Sequence, residues 1–277
     1  MKAVSDTLGV ARFNIAERIR GRSKRISRTR EGDLDPSAEL RCLVDARPTY
    51  GCRRTAALLR RERRFTGLLS VNAKRVYRLR NKHGLQLARY AGWRHAREHD
   101  GQGPILYFDV RLCSGVLEFT CWNGEAVRLA FVLDCHDGEV IGWTATTDGQ
   151  SGEIIRDMMV HCVEARFGSC RALHRLRWLS DNGWVYAIAQ TIGIAFDLNL
   201  DPCYTPVESP ESNGHAGAFV KTIRRDYFRV IPNAEAAFAA ISLWMGDYND
   251  VHPHSRPEYG SHWEYIRALS QPAACPV

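Results

Sequence analysis

No apolar run in this sequence is long enough to cross a bilayer. The longest are about ten residues with charges at their edges, against the roughly 20 a spanning helix needs. The N-terminus also lacks a signal-peptide pattern, and both absences predict a soluble, intracellular chain. No Cys-x-x-Cys pair occurs among the nine cysteines, which are scattered from Cys42 to Cys275. Such scatter fits reduced thiols rather than a disulfide framework. His95 and His99 have a zinc-like separation, but no close cysteine pair completes a four-ligand site. Acid is scarcest of all in one segment, where Glu62 is the only Asp or Glu between residues 51 and 97. A solvated charged helix face normally mixes both signs, so this bias favours a polyanionic partner over the ordinary explanation.

What is present sharpens that reading. Residues 1–100 carry 25 Lys and Arg against 10 Asp and Glu, whereas the remainder carries 13 against 21. Basic side chains neutralise phosphates and release counterions, so the first part is built for nucleic acid. At 277 residues and 45% hydrophobic, the chain can form two compact units.

Residues 3–20 carry an apolar helical stripe broken at Leu8-Gly9-Val10, which predicts a helix-turn-helix. Its second helix would offer Arg12, Asn14 and Arg18 to a DNA groove. The stripe begins abruptly at Met1, as though part of the unit were encoded upstream. A polar, basic stretch without periodicity reads as a linker. A second helical unit follows, with amphipathic segments at 38–46 and 53–64. A third helix, capped by Ser70 or Asn72 and ending at Gly84, gathers Lys74, Arg75, Arg78 and Lys82 at three- and four-residue spacing. Arg53 and Arg54 precede it as further candidate DNA contacts. From about residue 104 the texture becomes β-branched and aromatic. Three strands are expected, in ILYFDVRLCSGVLEF, AVRLAFVLD and EVIGWTATT, with His136-Asp137-Gly138 as a hairpin turn between the last two. Then come a helix at 151–166, a strand at 175–179, a helix near 187–199, a strand at 202–206 and a helix from Asn213. Such an order predicts an α/β mixed sheet covered on both faces.

The segments VNAKRVYRL (71–79), WLSDNG (178–183), SPESNGHAGAFVKTIRRDY (209–227) and YNDVHPHSRPEY (248–259) carry a specific resemblance. Together with TYGCRR (49–54) and FTCWNGEAVRLAFVLDCHDGEVIGW (119–143), they resemble the second-frame (OrfB-type) transposases of a large insertion-sequence family, over essentially the whole chain. These share an integrase core with retroviral enzymes. The resemblance implies a ribonuclease-H-like, five-stranded mixed sheet flanked by helices and preceded by an all-α helix-turn-helix DNA-binding region. It partitions the chain into a partial helix-turn-helix (1–22), a basic linker (23–36), a helical DNA-binding region (37–97) and an integrase core (104–268). It implies double-stranded DNA as partner, both terminal inverted repeats and target, with a first-frame transposase partner and a homo-oligomer on DNA, in the bacterial cytoplasm at the nucleoid and with no membrane.

The resemblance further implies two divalent ions, Mg²⁺ or Mn²⁺, held between three carboxylates for phosphoryl transfer. These acids come from the first strand, the end of the fourth strand, and a helix about 36 positions later. Asp181 fits the second role and would be the one retained metal ligand. The helix position falls on Gly217, 36 residues beyond Asp181, and the first-strand position on Gly115. Neither glycine can ligate a metal through a side chain. Glu118 has the wrong strand parity to substitute. Asp109 has the right parity but lies roughly 20 Å along an extended strand. Lys221, Arg224 and Arg225 follow at helix spacing as candidate phosphate contacts. The pattern also departs from the family at Leu112, where tryptophan is usual, and at His262-Trp263, where proline-arginine is usual. Two functions remain open: a DDE-type transposase impaired in catalysis, and a non-catalytic DNA-binding product or competitor of transposition.

Overall fold

The computed structural model describes residues 35–88, 105, 107–149, 151–181, 183–205, 213–228, 230–255 and 259–270. The expected helix-turn-helix with Arg12, Asn14 and Arg18, His95 and His99, and nearly all of the linker lie outside the described residues.

Three helices open the described chain: α1 (Ser37–Ala46), α2 (Cys52–Phe65) and α3 (Ala73–Lys82). They close on their own core of Leu40, Leu43, Tyr50, Ala56, Leu59, Val71 and Val76. Of the two candidate caps for α3 the chain uses Asn72, whose side chain accepts from Arg75 N at 2.8 Å. Two arginines of this basic stretch are interior. Arg80 donates to Tyr50 O at 2.7 Å, Thr55 Oγ1 at 2.9 Å and Leu85 O at 2.9 Å, and Arg63 donates to Leu69 O at 2.8 Å and pairs with Glu39. A buried guanidinium is tolerated only when its donors find acceptors, and here backbone carbonyls at the helix turns supply them.

Beyond these lie β1 (Arg111–Thr120), β2 (Ala126–Asp134), β3 (Val140–Thr146), α4 (Gly152–Phe167), β4 (Leu176–Ser180), α5 (Trp184–Ala187), α6 (Ala189–Asp197), β5 (Leu200–Tyr204), α7 (Gly214–Asp226), α8 (Ala234–Asp250) and α9 (His262–Ser270). The strands form one sheet in the order β3-β2-β1-β4-β5. β1, β2 and β3 pair antiparallel, while β4 runs parallel to β1 and β5 parallel to β4. This is the expected mixed, ribonuclease-H-like sheet. Alternation along the strands divides two cores. Cys113, Leu117, Leu129, Phe131 and Leu133 face α7 and α8, while Leu112, Ala130 and Val132 face α4 and α6.

Several boundaries differ from the expected ones. Residues 107–110 form a turn rather than the start of β1, and Asp109 takes a left-handed φ of 57°. The expected helix near 187–199 is two helices broken at Ile188, which is extended (φ −66°, ψ 133°). β5 starts two residues earlier than expected because Leu200 pairs with Leu176 and is fully buried. Its Pro202 is tolerated on a sheet edge.

The helical unit is joined to the sheet unit by side chains. Arg47 pairs with Asp247, Arg54 with Asp226 at 3.1 Å, and Arg61 with Glu264 at 2.5 Å, while Tyr50 Oη bonds His252 Nδ1 at 2.7 Å. Burial holds Tyr50 protonated and His252 neutral, so the bond joins two uncharged groups.

Candidate active site

Asp181 stands at the carboxyl end of β4, one residue beyond the last paired position. Its Oδ1 accepts the backbone N–H of Gly183 at 3.0 Å, which folds the following turn back on the carboxylate. In the parallel ladder Cys113 is level with Leu179, the last pair of β1 with β4; Gly115 lies two residues further along β1, and Asp181 two residues past Leu179, beyond the end of β4. Gly115 lies on the face of the sheet that packs on α7. A β-carbon built on Gly115 would lie 3.5 Å from the Cβ of Ala216, the residue preceding Gly217. The N-cap of α7 is anchored on the same strand, because Asn213 Nδ2 donates to Ser114 O at 3.1 Å while its Oδ1 accepts from Ala216 N. Gly115 thus lies against α7, the helix that carries Gly217, while Asp181 follows the carboxyl end of the neighbouring strand β4.

The two glycines differ in their surroundings. Around Gly217, which is exposed within α7, a built β-carbon meets nothing within 4 Å. At Gly115 it would come within 2.9 Å of Phe131 Cζ and 3.4 Å of Cε2. Phe131 is the direct cross-strand partner of Gly115 on β2 and is fully buried, with its ring on Phe219 at a centroid distance of 4.4 Å. An aromatic ring laid across a cross-strand glycine covers the bare backbone, and here it also takes the space a side chain would need. The sequence held a signal for this contact in the Asn123-Gly124 turn, which fixes the hairpin register that places residue 131 opposite residue 115.

The two other acids considered for the first-strand position are engaged elsewhere. Glu118 is exposed and pairs with Arg128 at 2.8 Å. Asp109 precedes β1 altogether, and its carboxylate is held by Arg166 at 2.7 Å. Among the described residues, no group of three or more His, Cys, Asp or Glu is placed to hold a metal ion. Charge balance in a two-metal centre requires several carboxylates, so a solitary Asp181 between two glycines does not fit one.

The candidate DNA contacts divide into two sets. Lys74, Arg78 and Lys82 are exposed on α3, and Lys221 and Arg224 are exposed on α7, where Arg224 also reaches Glu118 O at 3.3 Å. Arg75 is half-buried, and Arg53 is exposed beside the Tyr259 hydroxyl at 3.3 Å. Arg54 and Arg225 both bond Asp226, whose side chain is fully buried; Arg54 is half-buried, whereas Arg225 remains exposed. The pair with Asp226 gives Arg54 an internal partner beside its expected role as a DNA contact. Periodicity could not reveal it, because the acid lies 172 residues from Arg54.

The signature of the HTH-like domain family matches residues 40–92, spanning α1 to α3. The transposase InsD for insertion element IS2D of Escherichia coli K12 is 41% identical over 238 residues, covering 85% of this chain and 79% of that protein. The chain belongs to the insertion-element transposase family. An uncharacterised protein of insertion element IS136 from Agrobacterium fabrum is 47% identical over 191 residues, covering 68% of this chain and 98% of that protein. Among solved structures, a chain of the simian T-cell lymphotropic virus intasome aligns at 17% identity with a TM-score of 0.48, covering 80% of this chain and 77% of that one. This insertion-element transposase is therefore a DNA transposition protein by family. No helix among its described residues is long and apolar enough to cross a membrane.

Proposed function

We propose that this transposase binds the double-stranded terminal inverted repeats of its element and does not cut or join them. The observation that carries the reading is the bare backbone at Gly115, overlain by Phe131 and packed on α7, on the strand that neighbours the one Asp181 follows. Phosphoryl transfer here would leave the developing charge of the transition state without the carboxylate-held metal ions that normally offset it. Mg²⁺ or Mn²⁺ binding is accordingly weak or lost. Lys74, Arg78, Lys82, Lys221 and Arg224 track phosphates, and the polypeptide divides at 1–22, 23–36, 37–97 and 104–268. On DNA the protein acts as a homo-oligomer together with a first-frame partner, in the cytoplasm at the nucleoid. A chain of this kind occupies element ends and competes with active transposase.

The test is purified protein on labelled inverted-repeat duplex with Mg²⁺ or Mn²⁺. The expected result is a sequence-dependent mobility shift with intact DNA. Metal-dependent cleavage that disappears in Asp181→Asn would overturn the reading.

A further inference from the structure

Beside the cleft an aromatic side chain is left in solvent by a segment that is otherwise tied down. Trp184 is 67% exposed, while its neighbours Val185 and Tyr186 are buried. Three bonds fix the segment: Asp181 Oδ1 accepts from Gly183 N at 3.0 Å, Tyr186 Oη pairs with Ser114 Oγ at 2.6 Å, and Tyr204 Oη donates to Tyr186 O at 3.1 Å. Burial keeps the Tyr186 hydroxyl protonated, so its bond to Ser114 persists across the working pH range. The backbone that presents Trp184 is thus anchored to β1, β4 and β5 at once. An exposed indole on a loose loop would lose conformational entropy on engaging a ligand, whereas an indole on a pinned backbone loses little.

Trp184 lies three residues past Asp181, so the two α-carbons are at most about 11 Å apart. It opens at the carboxyl end of the sheet, where β5 also leaves Tyr204 37% exposed. On α7, Lys221 and Arg224 stand four and seven residues past Gly217 and are exposed. An aromatic face rigidly held near the cleft, in a protein that also exposes cations on α7, offers what the two parts of a single-stranded nucleotide need: a π-face for the base and charge for the phosphate. A paired base offers only its edge, since its faces are covered by its neighbours in the duplex.

We infer that Trp184 is a stacking surface for an unpaired nucleobase at the DNA end lying in the cleft. The inference rests on the proposed DNA binding and is independent of whether the cleft can cut. It assigns to the degenerate cleft a remaining role in holding DNA ends.

The experiment compares the affinity of the full chain for two duplexes carrying the element's terminal sequence, one blunt and one ending in three unpaired 3′ nucleotides with 2-aminopurine at the first. The parent is expected to bind the tailed duplex more tightly and to change the 2-aminopurine emission on binding. Base stacking on an aromatic side chain typically contributes enough that Trp184→Ala should weaken tailed binding by about tenfold. Its affinity for the blunt duplex should be unchanged and its emission change lost, while Trp184→Phe retains most of both. Because Trp184 is solvent-exposed, neither variant threatens the fold. Equal affinity of the parent for the two duplexes overturns the inference, as does a Trp184→Ala protein that keeps the parent's preference and emission change. A parent that binds neither duplex overturns the proposed function as well, which separates the two failures.

Discussion

The two glycines of the cleft should respond oppositely to the smallest possible side chain. In Gly115→Ala the new methyl would stand 2.9 Å from Phe131 Cζ, closer than real β-carbons approach, so the ring must move. It has little freedom to do so, because it packs on Phe219 at 4.4 Å and Phe219 in turn meets Tyr248 at 5.0 Å. Overpacking of this kind costs about 1–3 kcal/mol. Replacing glycine within a strand recovers about 0.5–1 kcal/mol of backbone entropy, leaving a net loss of about 1–2 kcal/mol. Gly217→Ala meets nothing within 4 Å and sits inside a helix, so it should stabilise by about 0.5–1 kcal/mol. Urea denaturation of the two variants reads the opposite signs directly. A double-mutant cycle tests the cause, since Phe131→Leu removes the clashing ring atoms and should make Gly115→Ala neutral or stabilising in that background. If Gly115→Ala is as stable as the parent, or costs the same beside Leu at 131, then Phe131 does not occupy the site and the packing argument fails.

Four further outcomes follow. Gly115→Asp with Gly217→Glu should remain without metal-dependent stabilisation, whereas the same pair with Phe131→Leu should gain a thermal shift in Mn²⁺; a shift in the double variant would show that the ring yields to an aspartate. Lys74→Ala and Arg78→Ala should each lower the log–log salt slope of DNA binding by about one, with melting unchanged. Arg80→Ala should instead destabilise the helical unit by about 2–4 kcal/mol, read by thermal melting, because it leaves the buried Tyr50 O without its donor. Stability should fall as the pH drops from 6.5 towards 4. Burial holds His252 and His262 below the ordinary imidazole value and lowers His254 to about 4, so the unfolded chain binds more protons in that window. Asp137, raised to about 6 by burial, opposes this by taking up its proton in the folded state, as do Asp134 and Glu139, which burial also raises, so the fall is clearest in the upper part of the window, where the three imidazoles of the unfolded chain titrate. Urea midpoints at pH 7, 6 and 5 check the sign, and a midpoint that rises on acidification would refute it.

The sheet was legible in the sequence wherever a local signal existed. The hairpin turn at His136-Asp137-Gly138 joins β2 to β3, with Gly138 at a φ of 85°, and Ser151 caps α4 as an acceptor from Ile154 N. The count from Asp181 to position 217 also located α7. What could not be read were contacts whose partners are far apart in the chain. Arg54 reads as a DNA contact because Asp226 is distant, and nothing local marks Arg63 and Arg80 as interior, because the carbonyls they satisfy are set by helix packing. β5 was displaced because a proline in the middle of five residues argues against a strand until its place on the sheet edge is known. Phe131 was hidden for another reason: a phenylalanine in a β-rich run is expected to be core, and only the register shows which backbone it covers.

The joint between the helical unit and the sheet has a metrical consequence. Because Arg47, Tyr50, Arg54 and Arg61 each clasp a different point on the segment from Asp226 to Glu264, the exposed cations of α3 and the carboxylate of Asp181 keep a constant offset. On the proposed function, a duplex held by α3 would be measured as well as held, because the number of base pairs between the held stretch and the cleft would be set by the protein's own dimensions. The molecule would then work as a caliper whose jaws stay at their setting.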